Sequence, residues 1–301
     1  MTSPLKNKEQ QRANWLIRYV GVQKAYDKKV IKALKLAADD ALEAADKWDR
    51  MNIGDRTKRY QFDLVAREIR GVIADLFKGL VPVLAQGQMD AAEAAAKALL
   101  EEDAKVLEAL FPSKNMRESW EESFTASARH TIGAMVNRVA GIAPTYNLSR
   151  RVYKSGALSS NQLQRQINSS LARGSSAKEL ADLVRKSILP NTPGGVSYAA
   201  MRLGRTEINN AFHTQSIVSM KDEPWVEHVQ WNLSGVHKPD PGDLCETYAA
   251  QGTFDKYDVP LKPHPQCMCY VTPVMVQFDS FASNLAAGVY DSYYQKEYNA
   301  A

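Results

Sequence analysis

The sequence has few cysteines and no long apolar run, and both shortages restrict the class of protein. Only 3 of its 301 residues are Cys, and all of them lie between positions 245 and 269. Three thiols cannot all pair with one another, so a disulfide framework is a poor explanation and reduced thiols are expected. No stretch approaches the roughly 18 uninterrupted apolar residues of a membrane-spanning helix, so none is predicted.

A secretory leader and a strong charge of one sign are also lacking. The N-terminal segment has neither the apolar centre nor the small-residue cleavage site of a signal peptide, so we expect the protein in the cytoplasm of the cell that makes it. The net charge is only +4 at pH 7, which permits contact with nucleic acid without predicting it. With 45% hydrophobic and 24% charged residues, the composition is that of a soluble protein with a buried core, long enough for two domains.

Residues 1–145 are predicted to form a helical bundle or arm. From Glu9 to Met51 there is no Pro, and apolar residues recur at helical spacing. After a turn at 52–56, a second apolar face runs to Leu80, and we expect Pro82 to kink or end that helix. Strong helix formers predict a further helix near 88–111, and another candidate spans 116–139. The apolar spacing drifts away from a heptad, which favours a bundle over a continuous coiled coil.

Residues 150–275 are predicted to form a small α+β module, followed by a C-terminal tail at 276–301. Two short helices are expected before 188, the second capped by Ser175 or Ser176, and "LPNTPGG" is expected to be a loop. A longer helix follows over 196–222. Alternation and β-branched residues then predict strands in "WVEHVQWNLSG" and "CYVTPVMV". The predicted fold class is therefore mainly α, with a long-helix N-terminal half and a short sheet near the C-terminus.

The stretch "PLKPHPQCMCYVTP", residues 260–273, contains two of the three cysteines. Cys245, Cys267 and Cys269, with either His264 or His237, make a plausible Cys3His set for tetrahedral zinc. Alternate residues of an extended strand point to opposite sides, so one of the last two cysteines is alternatively expected to face the core. Structural zinc, packed thiols without metal, and reactive thiols are three open interpretations.

Several residues beside the cysteines are predicted to be structural anchors. Pro263 and Pro265 restrict the backbone around His264 and are expected to hold it in an extended pose, which suits a ligand or a hydrogen-bond anchor equally well. An adjacent Pro- and Gly-rich turn adds two carboxylates, and such carboxylates commonly accept hydrogen bonds from their own backbone. The polar residues of this turn are His237, Asp240 and Asp243.

Arg205 and Glu207 belong to the predicted helix over 196–222. They lie two positions apart and so do not face each other. We expect one of them to reach the His–Cys region through a charge-assisted hydrogen bond while the other faces water. A catalytic Glu207 is the alternative, although no Gly-rich phosphate loop, HExxH or GxSxG motif accompanies it.

Three segments, in order, resemble a known family: "GRTEINNAF" at 204–212, "VQWNLSGVHKPDPGDLCETYAAQG" at 229–252 and "PHPQCMCYVTP" at 263–273. They are similar to the C-terminal module of phage minor head proteins, the Mu F-like head morphogenesis family. The resemblance covers roughly residues 160–275 and does not extend to residues 1–150. Two positions depart from the family pattern: Tyr248 stands where many relatives have a second Cys, and Met268 where a basic residue is common.

The resemblance implies a minor capsid protein of a tailed phage or prophage and no enzymatic activity. Such a protein would be made in the host cytoplasm and enter the virion in few copies during procapsid assembly, through contacts with the portal, major capsid or scaffold protein. It would lie in the capsid interior or at the portal vertex. Two alternatives are open: a metal-dependent hydrolase or toxin-like transferase built on the same module, and an internal head protein that binds packaged DNA through Lys28, Lys29, Lys32 and Lys35.

Overall fold

The computed structural model describes residues 8–49, 55–110, 118, 122, 126–130, 148–173, 177–188, 195–238 and 242–292. The described chain is mainly helical, with long N-terminal helices and a small three-stranded antiparallel sheet in its C-terminal part. The predicted fold class is therefore confirmed. No described helix combines the length and the apolar character needed to cross a bilayer.

Two long helices, α1 (Lys8–Asp49) and α2 (Asp55–Leu110), pack against each other. Pro82 does not end a helix, so that expectation is wrong: α2 continues through it. The segment near 88–111, predicted to be a separate helix, is part of α2 as far as Leu110. Proline removes one backbone donor, which leaves the carbonyl four residues earlier without its helical partner. Pro82 and Lys78 are both exposed, so water can bond to that carbonyl, while Leu80 and Leu84 are buried on the packed face.

Three further helices lead to the sheet: α3 (Leu148–Ala172), α4 (Ala177–Ile188) and α5 (Val196–Asp222). The α3 helix begins earlier than predicted, whereas α5 has the predicted range. The serines proposed as caps and the loop at 189–194 lie outside the described residues. Of the candidate helix at 116–139, the structure describes 118, 122 and 126–130, all helical.

The sheet has the order β2-β1-β3, with β1 (Val226–Asn232) at its centre, β2 (Thr253–Asp255) and β3 (Tyr270–Met275). Both predicted strands are confirmed, whereas β2 and the short helices α6 (Leu244–Gln251) and α7 (Phe278–Ala286) were not predicted. Pro273 is tolerated inside β3 because β3 is an edge strand. In the register, Val229 of β1 faces Phe254 on one side and Pro273 on the other.

Buried apolar side chains form one cluster that includes residues from both halves of the chain. Phe212 of α5 meets Trp15 edge-on, with ring centroids 6.0 Å apart, and packs on Tyr19 at 4.8 Å. Gly204 permits a close approach between α5 and α1, because a Cβ there would lie 2.0 Å from the Tyr26 hydroxyl. The division of the chain at 145–150 stays a prediction. In the tail, Tyr290 packs edge-on against Trp225 beside β1.

Candidate metal centre

The three cysteines come together from the capped first turn of α6 and from the segment that immediately precedes β3. Asp243 caps α6 by accepting a hydrogen bond from the Cys245 amide at 2.9 Å, which places Cys245 in the first turn with its side chain buried. Cys267 and Cys269 precede β3 and do not belong to it, so strand alternation does not separate them. Both are buried in the core and both sulfurs lie in the cluster, so the expectation that only one of them faces the core is wrong. All three sulfurs lie within 4.8 Å of one another.

The sulfur and imidazole positions suit a metal ion. The Cys245 Sγ lies 3.4 Å from the Cys267 Sγ and 3.3 Å from His264 Nε2, while the Cys269 Sγ lies 3.9 Å from His237 Nδ1. A tetrahedral zinc ion with Zn–S bonds of about 2.3 Å separates two sulfurs by about 3.8 Å. Small adjustments therefore bring the cluster to zinc geometry. The three cysteines, together with His and Asp, can hold a metal ion.

Both histidines are oriented by a second polar partner. His264 Nδ1 lies 3.1 Å from the Pro265 carbonyl, which can only accept, so this nitrogen carries the hydrogen and Nε2 presents its lone pair toward Cys245. His237 Nε2 lies 3.4 Å from a Glu246 carboxylate oxygen, which leaves Nδ1 to face Cys269. Metal-ligating histidines are commonly oriented in this way.

The thiols share protons unequally. Burial, followed by the neighbouring Cys267, raises the pKa of Cys245 to about 12. A hydrogen bond from the Cys269 thiol lowers the pKa of Cys267, an effect to which the Lys262 ammonium adds, and the same hydrogen bond raises the pKa of Cys269. The cluster therefore favours one thiolate held by neighbouring thiols. Metal binding would displace the remaining protons, so its affinity is expected to depend on pH.

The backbone of the cysteine segment is held by three side-chain donors, two of which are buried and belong to distant helices. The Cys267 carbonyl accepts hydrogen bonds from the Tyr19 hydroxyl at 3.0 Å, Asn209 Nδ2 at 2.9 Å and Lys262 Nζ at 2.9 Å. Lys262 also donates to the Cys269 carbonyl and to the Tyr19 oxygen. Burial lowers the pKa of Lys262 to about 8, while the neighbouring cysteine sulfurs, Cys267 first, oppose that shift. These bonds tie the cysteines to α1 and α5.

The structure gives Arg205 and Glu207 partners other than those expected. Arg205 forms a two-point ion pair with Asp27 of α1, with N–O distances of 3.1 and 2.8 Å. Glu207 is buried and accepts a hydrogen bond from Gln88 of α2 at 3.1 Å, so the expectation that one of the pair faces water while the other reaches the His–Cys region is wrong. That contact is made by Asn209, which lies one turn of α5 beyond Arg205.

The prolines position His264 through a turn. Pro265 and Gln266 form the turn, and Gln266 has a φ of 60°, a left-handed value that is uncommon for a residue other than glycine. The expected extended path from His264 into the strand is therefore wrong, because the chain bends first. The Gln266 amide donates to Thr206 Oγ1 of α5 at 3.1 Å, which fixes the turn, and Pro263 lines the adjoining cavity. Asp240 lies outside the described residues.

An open cavity of about 730 Å³ adjoins the centre. His237, Asp243, His264 and Cys269 contribute to its wall. The His264 side chain is 41% exposed, whereas that of His237 is 9% exposed. Solvent therefore reaches one imidazole of the centre much more readily than the other.

Sequence reasoning missed the second layer of the centre. Lys262 stands inside the proline- and cysteine-rich stretch, where a lone cation among potential thiolates was a usable signal. Asn209 and Thr206 lie within the quoted "GRTEINNAF" segment, but nothing local distinguishes them from ordinary helix residues. Tyr19 lies 248 positions from Cys267, so no local pattern relates the two.

The chain is thus a mainly helical protein with a small C-terminal sheet and, beside it, a Cys/His centre able to hold a metal ion. No protein-family model matches the chain, and comparisons with curated proteins and with solved structures also find no match.

Proposed function

We propose that the chain is a minor head component of a tailed phage or prophage and that its Cys/His centre binds a structural zinc ion. One observation supports this above all: the three segments on which the family resemblance rests meet at a single place. Asn209 of the first segment bonds to the carbonyl of Cys267 in the third, and the Cys267 sulfur lies 3.4 Å from that of Cys245 in the second. The residues that carry the resemblance therefore form one contiguous site.

Zinc is the metal that this donor set favours. Thiolate and imidazole are ligands of zinc in structural sites, which are tetrahedral and have all four positions filled by protein ligands. Three thiolates and one neutral imidazole around Zn²⁺ carry a net negative charge, and a buried charge needs a partner. The Lys262 ammonium supplies that partner, since it donates to the carbonyls of Cys267 and Cys269.

A structural role fits the burial of the centre better than a catalytic one. The three cysteines are at most 1% exposed. Glu207, the carboxylate considered for catalysis, is 2% exposed and bonds to Gln88 on α2. Among the residues that line the cavity, Glu207 is not found.

The proposed mechanism is a division of labour between the two parts of the chain. The centre locks the short sheet onto α5 and, through Tyr19, onto α1. At about 1.5 Å per residue, the 42 residues of α1 and the 56 residues of α2 correspond to lengths of about 63 and 84 Å. Helices of this length can extend from a rigid module to the portal, major capsid or scaffold protein during procapsid assembly.

Contact with packaged DNA is a second candidate, favoured by one specific observation. Lys28, Lys29, Lys32 and Lys35 are all exposed on α1, at spacings that place them on neighbouring positions of one helix surface. Binding through such lysines would weaken steeply as salt rises, because phosphate contacts release counterions. A salt-independent affinity for duplex DNA, or none at low salt, would remove this candidate.

Two measurements test the main proposal. Elemental analysis of the purified, reduced protein should find zinc, and Cys267→Ser should lose most of it while His228→Ala, a change at an exposed histidine on β1, should not. In cells that also make the portal, scaffold and major capsid proteins of the same phage, we expect the chain to sediment with procapsids. Absence of the chain from both procapsids and finished particles would disprove the assembly role, and absence of zinc would disprove the metal role.

A further inference from the structure

The centre contains more donor atoms than one zinc ion uses. Three sulfurs, one nitrogen from each of two histidines and one carboxylate oxygen surround it, a total of six, whereas a structural zinc ion takes four ligands. Both imidazoles are oriented as ligands by a second partner. One zinc ion would therefore leave two of the six donor atoms without a metal bond, although both imidazoles are oriented as ligands.

The donors fall into two overlapping sets. One consists of the three cysteine sulfurs, and the other of Asp243, Cys245 and His264, with the atoms of each set within 4.8 Å of one another. In the second set, His264 Nε2 lies 3.3 Å from the Cys245 sulfur and 3.6 Å from Asp243 Oδ2. A tetrahedral ion with bonds of about 2.0–2.3 Å separates such donors by about 3.3–3.6 Å. The second set thus already has the spacing of a metal site.

We propose that the centre binds a second zinc-type divalent ion through Asp243, Cys245 and His264, and that the Cys245 thiolate bridges the two ions. This inference rests on the proposed zinc site at the three cysteines. His237, whose Nδ1 faces Cys269 at 3.9 Å, then completes the first ion as its fourth ligand. A thiolate has several lone pairs, so one sulfur can bind both ions.

The second set is held in place before any metal binds. Asp243 uses Oδ1 to cap α6, which leaves Oδ2 directed at the second position. His264 donates from Nδ1 to the Pro265 carbonyl, which leaves Nε2 free as a ligand. Ligands whose other atoms are already hydrogen-bonded lose less freedom on binding a metal ion.

The two positions differ in their access to solvent. Three cysteines and His237 fill the first position, whereas Asp243, Cys245 and His264 supply only three donors to the second. A tetrahedral ion there keeps one coordination position for water or an oxyanion, whereas a structural zinc ion has all four positions filled by protein ligands. Asp243 and His264 line the cavity, so a ligand can reach that position from solvent.

Metal stoichiometry tests the proposal. Reduced, metal-free full-length protein is titrated with Zn²⁺ in the absence of oxygen, with a chromophoric chelator as competitor, and the endpoint is checked by elemental analysis. We expect two equivalents for the unmodified protein and for His228→Ala, the control at an exposed histidine. His264→Ala and Asp243→Asn are each expected to bind one. The asparagine variant keeps an oxygen that can cap α6, so it tests the site even if the histidine variant does not fold.

The possible endpoints separate the two proposals. No bound zinc in the unmodified protein overturns both. One equivalent overturns the second position and leaves the structural zinc site standing. Two equivalents that persist in both His264→Ala and Asp243→Asn show that the second ion lies elsewhere, which also overturns this inference. Two equivalents that fall to one in the variants support it.

Discussion

The hydroxyl group of Tyr19 donates a hydrogen bond to the carbonyl oxygen of Cys267 at 3.0 Å, across 248 positions of the chain. It joins the first long helix to the segment that carries two of the three cysteines. The same oxygen accepts from Asn209 and Lys262, so α1, α5 and the cysteine segment meet at one atom. The stability of the helical half and the integrity of the centre should therefore be linked.

Tyr19→Phe should destabilise the fold by about 1 kcal/mol, because it removes a buried hydrogen bond and deprives Lys262 of an acceptor. Tyr26→Phe is the matched control on the same helix. The Tyr26 hydroxyl is buried and has no hydrogen-bond partner in the described part of the chain, so its removal should be neutral or stabilising. Urea unfolding of the two variants measures the difference. Equal effects would show that the Tyr19 bond contributes nothing of its own.

Lys262→Met should weaken zinc binding and lower stability, by about 2–4 kcal/mol in unfolding, because the acceptors at Cys267 and Cys269 lose a buried charged donor. Lys256→Met is the control: that ammonium is half-buried and donates to the Glu223 carbonyl at 2.7 Å. It should cost some stability but leave zinc affinity unchanged. Competition with a chelator measures both affinities. A normal zinc affinity in Lys262→Met would contradict the charge-compensation role.

Gly204→Ala should be strongly destabilising, by about 2–3 kcal/mol or more, because overpacking forces buried groups apart. The added Cβ would lie 2.0 Å from the Tyr26 hydroxyl. Gly79→Ala in α2 is the control, since nothing lies within 4 Å of its Cβ position, and helix propensity should make it neutral or stabilising by up to about 1 kcal/mol. Adding Tyr26→Ala to Gly204→Ala should cost less than the sum of the two changes. Additive costs would argue against a direct clash.

Stability should fall between pH 7 and pH 5 partly because of His213. Burial, followed by the Lys262 ammonium, lowers the pKa of His213 in the folded protein from 6.5 to about 3, and its Nε2 donates to the Pro260 carbonyl at 2.9 Å. Below pH 6.5 the His213 imidazole binds a proton in the unfolded chain but stays neutral in the folded protein. This effect grows as pH falls toward the folded pKa and reaches about 2 kcal/mol at pH 5.

His213→Gln preserves a donor near Pro260 but cannot titrate, so its stability should decline less between pH 7 and pH 5 than that of the unmodified protein. His228→Gln, at an exposed site, should keep the original pH dependence. Urea unfolding of all three proteins at both pH values gives the comparison, which subtracts any acid effect on the cysteines. Identical slopes for His213→Gln and the unmodified protein would show that the buried imidazole is not responsible.

The predictability of the centre differed from one residue to the next. The sequence predicts all five candidate ligands, because sulfur and imidazole near Pro-rich turns can be recognised as possible metal ligands from residue type alone. These residues are Cys245, Cys267, Cys269, His237 and His264. The partners of Arg205 and Glu207 were not, since a helix position alone does not show which neighbouring helix lies across from it. Pro82 does not end α2 as predicted, because its exposed position lets water bond to the carbonyl that loses its helical partner.

Periodicity and side-chain chemistry act over neighbouring residues, so the helical class, the positions of β1 and β3 and the kinds of atoms in the centre can be predicted from the amino-acid order. The packing of distant elements accounts for the rest: α6 and the turn at Pro265 bring three sulfurs within 4.8 Å, and Tyr19, Asn209 and Lys262 hold their backbone. Those contacts join elements far apart in the chain. They depend on how helices pack and on where a glycine lets them approach, which no local pattern encodes.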